Sequence, residues 1–236
     1  MAITYRLLAH LNLDDLTYTH LSVRVPDVDG GEGCFFIHPL GQLYAEVTPD
    51  SLLKVTYDGV ILAGNEADYN QTGFVIHGSI YRNRPDVHAI IHLHTIASVS
   101  VACLTEGLLP LSQFALHFYQ KVAYHDYDGL ELDPIAQGKQ LATDLGQNTV
   151  LFLRNHGFIT TGIDLQEAFF YAYYLEQACR VQTATLAMNR PFLQPTPDVC
   201  IRAQQNMRAF EKKLGHRDWA GLVRHFGLQD LFGLDL

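Results

Sequence analysis

The run Ala89-Ile90-Ile91-His92-Leu93-His94 constrains this chain more than any other stretch. Its apolar residues read as a buried strand, and the period-two geometry of a strand turns His92 and His94 toward the same face. Two neutral imidazoles aimed at one point can chelate a divalent cation, and three histidines leave a coordination position open for a water or a substrate oxygen. A third imidazole stands in Val150-Leu151-Phe152-Leu153-Arg154-Asn155-His156-Gly157, a second buried-strand pattern that runs into a polar turn where Gly157 lets the chain bend. Hydrogen-bonded histidines on a half-buried sheet face are the rival reading; His156 weighs against it without excluding it.

With 236 residues, 48% of them hydrophobic and 17% charged, the chain is long enough for one well-buried core, and no apolar stretch is long enough to cross a bilayer. The formal net charge is -9 and the 16 lysines and arginines are scattered, which leaves no electrostatic footprint for nucleic acid or an anionic membrane. Cys34, Cys103, Cys179 and Cys200 have no C-x-x-C spacing and read as reduced thiols, and Met1 to Asp15 lacks the pattern of a secretion leader. A cytoplasmic protein is expected.

The spacing predicts a helix over Thr4 to Leu13 and strands over Leu21 to Val25, Cys34 to Ile37 and Leu43 to Val47, separated by Pro26, Gly30, Gly31, Pro39 and Gly41. Leu52 to Val55 and Val60 to Ala63 flank Tyr57-Asp58-Gly59, a hairpin signal that makes the sheet partly antiparallel. Phe74, His77 and Tyr81 mark the buried face of a helix over Gly73 to Arg84, so His77 is expected as a core histidine rather than a fourth ligand. Helices are further expected over Thr95 to Leu104, from an Asp133-Pro134 start to Gly146, from the Asp164-Leu165-Gln166-Glu167 capping box to Met188, and as a last helical region over Asp198 to Phe226. Glu46 is expected to face solvent or pair on its strand, and Asn155 to shape the turn presenting His156.

Taken with the strand histidines, the stretches Arg154-Asn155-His156-Gly157, Arg84-Pro85-Asp86-Val87 and Tyr124-His125-Asp126-Tyr127 resemble the class II aldolase/adducin family over roughly residues 4 to 190. His20-Leu21-Ser22-Val23-Arg24, Asn70-Gln71-Thr72-Gly73-Phe74 and Gly107-Leu108-Leu109-Pro110 are most similar to the adducin head and its bacterial relatives. The resemblance implies a three-layer α/β/α fold around a largely antiparallel sheet over residues 1–190, with residues 191–236 as a helical tail packed on the same domain. It also implies a divalent metal held by His92, His94 and His156, zinc first and Fe2+ or Mn2+ as alternatives, acting on a small hydroxy-carbonyl substrate. Symmetric tetramers are the family habit, so a homo-oligomer is expected, with Phe169 to Tyr174 as an interface candidate.

The chain departs from the family's aldolases at the acid and base. Where they carry a glutamate four residues before the helix histidine, this chain has Gly73, and Phe114 stands near the place of their proton-donating tyrosine. Their phosphate-binding positions are Thr19-His20 and Gln71-Thr72 here, which disfavours a phosphorylated sugar; Gly41 and Ser22 are read as structural. His20, His117 and His125 are the candidates to replace the missing proton-transfer group, His125 with a neighbouring aspartate to orient it. The competing functions are a lyase-type enzyme of aldol or related enediolate chemistry, a non-catalytic adducin-like binding module, and an iron-dependent oxygenase or decarboxylase.

Overall fold

The computed structural model describes residues 1–25, 33–64, 69–129 and 134–233. Eight strands form one sheet: β1 His20–Val25, β2 Cys34–Ile37, β3 Leu53–Thr56, β4 Ile61–Ala63, β5 Ala89–Leu93, β6 Val122–His125, β7 Val150–Leu153 and β8 Gly157–Gly162. Their order is β4-β3-β2-β1-β5-β8-β7-β6, and every pairing is antiparallel except β6 with β7. The expected largely antiparallel α/β sheet is therefore the observed one.

Helices cover both faces, which is why the central strands read as unbroken apolar runs rather than as alternating ones. Helix α2 (Gln71–Asn83) and helix α5 (Pro134–Leu145) lie over Ile90, Leu151, Leu153 and Ile159. On the other face Ile91, Leu93, Phe152 and Phe158 meet α1 (Ala2–His10), α3 (Ile96–Ala102) and the 23-residue α6 (Leu165–Ala187), and α4 (Gln113–Leu116) packs on α6. Asp164 caps α6 by accepting the Glu167 N–H at 2.8 Å, as the capping-box spacing predicts.

Three expectations are corrected. Residues 43–47 do not form a strand; Tyr44–Glu46 is a 3-10 turn in which the Tyr44 ring is fully buried and the Glu46 carboxylate accepts the Leu43 N–H at 2.9 Å. The single helical region expected over Asp198 to Phe226 is two helices, α7 (Pro197–Phe210) and α8 (His216–His225), because the backbone turns extended at Glu211; a further helix, α9 (Leu228–Phe232), follows, and Gly215 and Gly227, both at positive φ, precede α8 and α9. Within the interface candidate Phe169 to Tyr174, Phe169, Phe170 and Tyr171 are buried in the chain's own core, which leaves the half-buried Tyr173 and Tyr174 as its accessible aromatics. The turn expected at Pro26, Gly30 and Gly31 and the Asp133 cap lie outside the described residues, as do the side chains of Gln71 and Thr72.

The tail joins the main core. Trp219 donates its indole N–H to Thr4 Oγ1 at 3.1 Å, and Phe226 stacks on His10 with ring centroids 4.4 Å apart. Trp219, Val223 and Leu228 share one apolar cluster with Ile3, Tyr5 and Leu7 of α1.

Candidate metal centre

Strand register builds the site. His20 of β1 lies directly opposite His92 of β5, and Ser22 opposite Ile90, so His20 and Ser22 share the face that α2 covers. His77 and Tyr81, four residues apart on α2, meet them there. His20 Nδ1 stands 3.0 Å from His77 Nε2, His77 Nδ1 2.5 Å from Ser22 Oγ, and Ser22 Oγ 2.7 Å from the Tyr81 hydroxyl. His77 is thus a hydrogen-bonded core histidine, and Ser22 is used structurally.

Two glycines admit the histidines. A Cβ on Gly157 would stand 2.4 Å from Leu93 O and 2.9 Å from His94 Cδ2, so only glycine lets the β7–β8 turn close against β5 and bring His156 to His94. Asn155, with φ of 59°, supplies the left-handed residue of that turn, while Gly157 is needed for close approach rather than for a bend. A Cβ on Gly73 would stand 2.7 Å from both Cδ2 and Nε2 of His20. The His20 ring therefore fills the room that a longer side chain at position 73 would require.

His92, His94 and His156 each offer one ring nitrogen, all within 4.8 Å of one another. His92 Nδ1 is 2.9 Å from the Phe158 carbonyl oxygen and His94 Nδ1 is 3.0 Å from Asp15 Oδ2. A carbonyl and an ionised carboxylate can only accept, so both rings carry their proton on Nδ1. With both rings neutral, their Nε2 lone pairs then face each other at 2.8 Å. A proton on His92 Nε2 would charge a ring that burial, then His94, His20 and His156, hold well below the ordinary histidine value. His156 is pushed down to about 4 by burial and His94. A divalent cation relieves the conflict: zinc at its usual 2.0–2.1 Å bonds places tetrahedral nitrogens about 3.3 Å apart, and the outer N–H bonds to Phe158 and Asp15 are the support that metal-binding histidines use. The residues present fit a metal.

The triad opens into a cavity of about 750 Å³ that His20 and His125 also line. Of the three histidines expected to move protons, these two are brought to the triad. His117 is not; it packs on Phe170 and Tyr174 and lines a separate cavity with Lys121, Thr149 and Gly162, at the opposite end of the sheet. Phe114 packs on Tyr174 as well. Asp15, which orients His94, and Asp144, whose Oδ2 lies 2.7 Å from His125 Nδ1, were not found by sequence reasoning. Both partners are remote in the chain, and only the packed fold brings them in.

The Class II Aldolase and Adducin N-terminal domain family matches residues 1–183. The chain belongs to the class II aldolase/adducin family. Alpha-adducin of Rattus norvegicus is 40% identical over 190 residues, covering 79% of this chain, which spans a quarter (25%) of that protein's length. The crystal structure of an aldolase II superfamily protein from Pseudomonas syringae is 35% identical, covers 95% of this chain and 89% of its own, and superposes with a TM-score of 0.85. An L-fuculose 1-phosphate aldolase from Glaciozyma antarctica PI12 shares the fold, with a TM-score of 0.84 at 24% identity, covering 98% of this chain and 88% of its own.

Proposed function

We propose that this protein is a divalent-metal-dependent lyase-type enzyme acting on a small hydroxy-carbonyl compound, with His92, His94 and His156 holding zinc. The observation that carries the reading is the convergence of the His92 and His94 Nε2 atoms, 2.8 Å apart, with a ring nitrogen of His156. When bound, such a cation supplies Lewis-acid stabilisation of the negative charge that develops as a bond next to a carbonyl breaks. Asp15 and the Phe158 carbonyl hold the two strand imidazoles in the tautomer and orientation a cation needs. Membership of a family that includes aldolases supports the reaction class. The family's assembly habit, and the exposed Tyr18 on the rim of the cavity, support a homo-oligomer, a tetramer by that analogy, which light scattering would read directly. Among the described residues no helix is long and apolar enough to cross a membrane.

The test is elemental analysis of protein purified without chelator, followed by a turnover screen on small hydroxy-aldehydes, hydroxy-ketones and hydroxy acids. About one zinc per chain, lost together with turnover in the His92→Ala, His94→Ala double variant, is expected. Absence of bound metal would remove the reading. A second reading, a non-catalytic adducin-like module, is favoured by Gly73, because glycine at that position cannot exchange a proton. Metal binding without turnover on any member of the screen would select it.

A further inference from the structure

We infer that His125 is the proton-transfer group of the metal cavity and that Asp144 is its positioning residue. The inference rests on the lyase reading above and deepens it by moving the acid–base function from α2, where Gly73 stands, to the end of β6.

His125 closes β6, which runs parallel to β7, so its ring reaches the same end of the sheet as His156. The ring is buried, and its Nδ1 stands 2.7 Å from Asp144 Oδ2 on α5. An ionised carboxylate accepts only, so the neutral ring carries its proton on Nδ1 and presents a bare Nε2. Asp144 is itself fixed by Gln140, whose Nε2 donates to Oδ1 at 2.8 Å. His125 Nε2 is buried with no hydrogen-bond partner among the described residues, an exception to the rule that buried polar atoms are paired. Asp128 Oδ2 lies 3.5 Å from that nitrogen, in place to stabilise the imidazolium once a proton arrives. A base oriented by one carboxylate, with a second beside its free nitrogen, is the arrangement general-base chemistry requires.

The other histidines of the sheet serve this role less well. His20 is held against Gly73 and hydrogen-bonded to His77, and burial with four surrounding imidazoles keeps it well below the ordinary histidine value. A proton gained there would also sit beside the cation the triad holds. His117 lines the cavity at the far end of the sheet.

In the step, the C–H bond next to the substrate carbonyl breaks and its proton goes to His125 Nε2. The bond's electron pair forms the carbon–carbon double bond of an enediolate, and the carbonyl π pair moves onto its oxygen. Return of a solvent-exchanged proton from the imidazolium reverses the step, so no other reactant is consumed.

The test uses zinc-loaded full-length protein and dihydroxyacetone in D2O, with loss of the carbon-bound proton signal followed by NMR. The wild type is expected to catalyse the exchange. His125→Asn should lower its rate about 100-fold or more and Asp144→Asn about 10-fold or more, both with zinc content unchanged, at the scale of a lost general base. Nitrogen-15 spectra of the imidazoles supply a readout free of activity: His125 is expected as the Nδ1–H tautomer in the wild type and to lose that preference in Asp144→Asn. Exchange indifferent to His125→Asn, or an Nε2–H tautomer in the wild type, overturns this proposal alone. Zinc-loaded wild type that does not exchange overturns it together with the lyase reading. Protein that binds no zinc overturns the metal reading on which it rests.

Discussion

Two histidine clusters lie side by side on one face of this sheet, and they differ in how their nitrogens are satisfied. In the His20–His77 pair every contact has a donor for its acceptor, because Ser22 and Tyr81 continue the chain with rotatable hydroxyls. In the triad the outer nitrogens of His92 and His94 face only acceptors, so in the neutral rings the inner ones converge as lone pairs. The first cluster is complete as it stands and the second asks for a cation. Counting histidines does not separate the two; tracing where each N–H goes does.

Zinc should break the symmetry between the clusters most visibly. At a free concentration 100 to 1,000 times its dissociation constant, zinc should add about 3–4 kcal/mol to unfolding stability. A thermal melt should lose that gain in the His92→Ala, His94→Ala double variant and keep it in Tyr81→Phe. A gain that survives the double variant would place the cation elsewhere.

Acid should strain the pair's surroundings next. His38, whose field reaches His20, is pushed down to about 4 by burial, from an ordinary 6.5. Above pH 6.5 both folded and unfolded chains are neutral there and stability is whole. As pH falls from about 6.5 to about 4 the unfolded chain takes up a proton that the fold refuses, and about 3 kcal/mol from this one residue is lost. Urea titrations at pH 7 and pH 4.5 should show the drop, and His38→Gln should flatten it. The triad's His156 responds in the same direction in metal-free protein, and added zinc, which competes with protons for the same nitrogen, should steepen the loss on acidification.

Gly73→Ala sharpens the comparison from the packing side. The new Cβ would press on the His20 ring at 2.7 Å, so a cost of about 1–3 kcal/mol is expected, with zinc stoichiometry unchanged. A neutral effect in chemical denaturation would mean that His20 moves away freely. The smallest change is Tyr81→Phe, which removes one hydroxyl from the 2.7 Å bond to Ser22 and should cost about 1 kcal/mol by the same measurement.

The triad was legible because its signal is local: His92 and His94 obey the period of a strand whose apolar neighbours are unmistakable, and His156 closes a second such strand. The buried face of α2 was legible for the same reason, from Phe74, His77 and Tyr81. What escaped was set by contacts between distant segments. Asp144 reaches His125 from a helix 19 positions away, and Asp15 reaches His94 from 79 positions away. Residues 43–47 imitate a strand by alternation, but burying the Tyr44 ring against Tyr5 and His38 prevails over local propensity. In the tail, the helical pattern runs on past Gly215, whose positive φ seats it against the Gln166 carbonyl of α6.

The clasp of Trp219, Val223 and Leu228 over the first helix has a consequence for synthesis. The ribosome makes α1 long before α8 and α9, so the part of α1 that they cover stays open to water until they are joined, after the sheet and Tyr44 have packed on the rest. A chain halted near residue 183, where the family match ends, would present that uncovered stripe to chaperones.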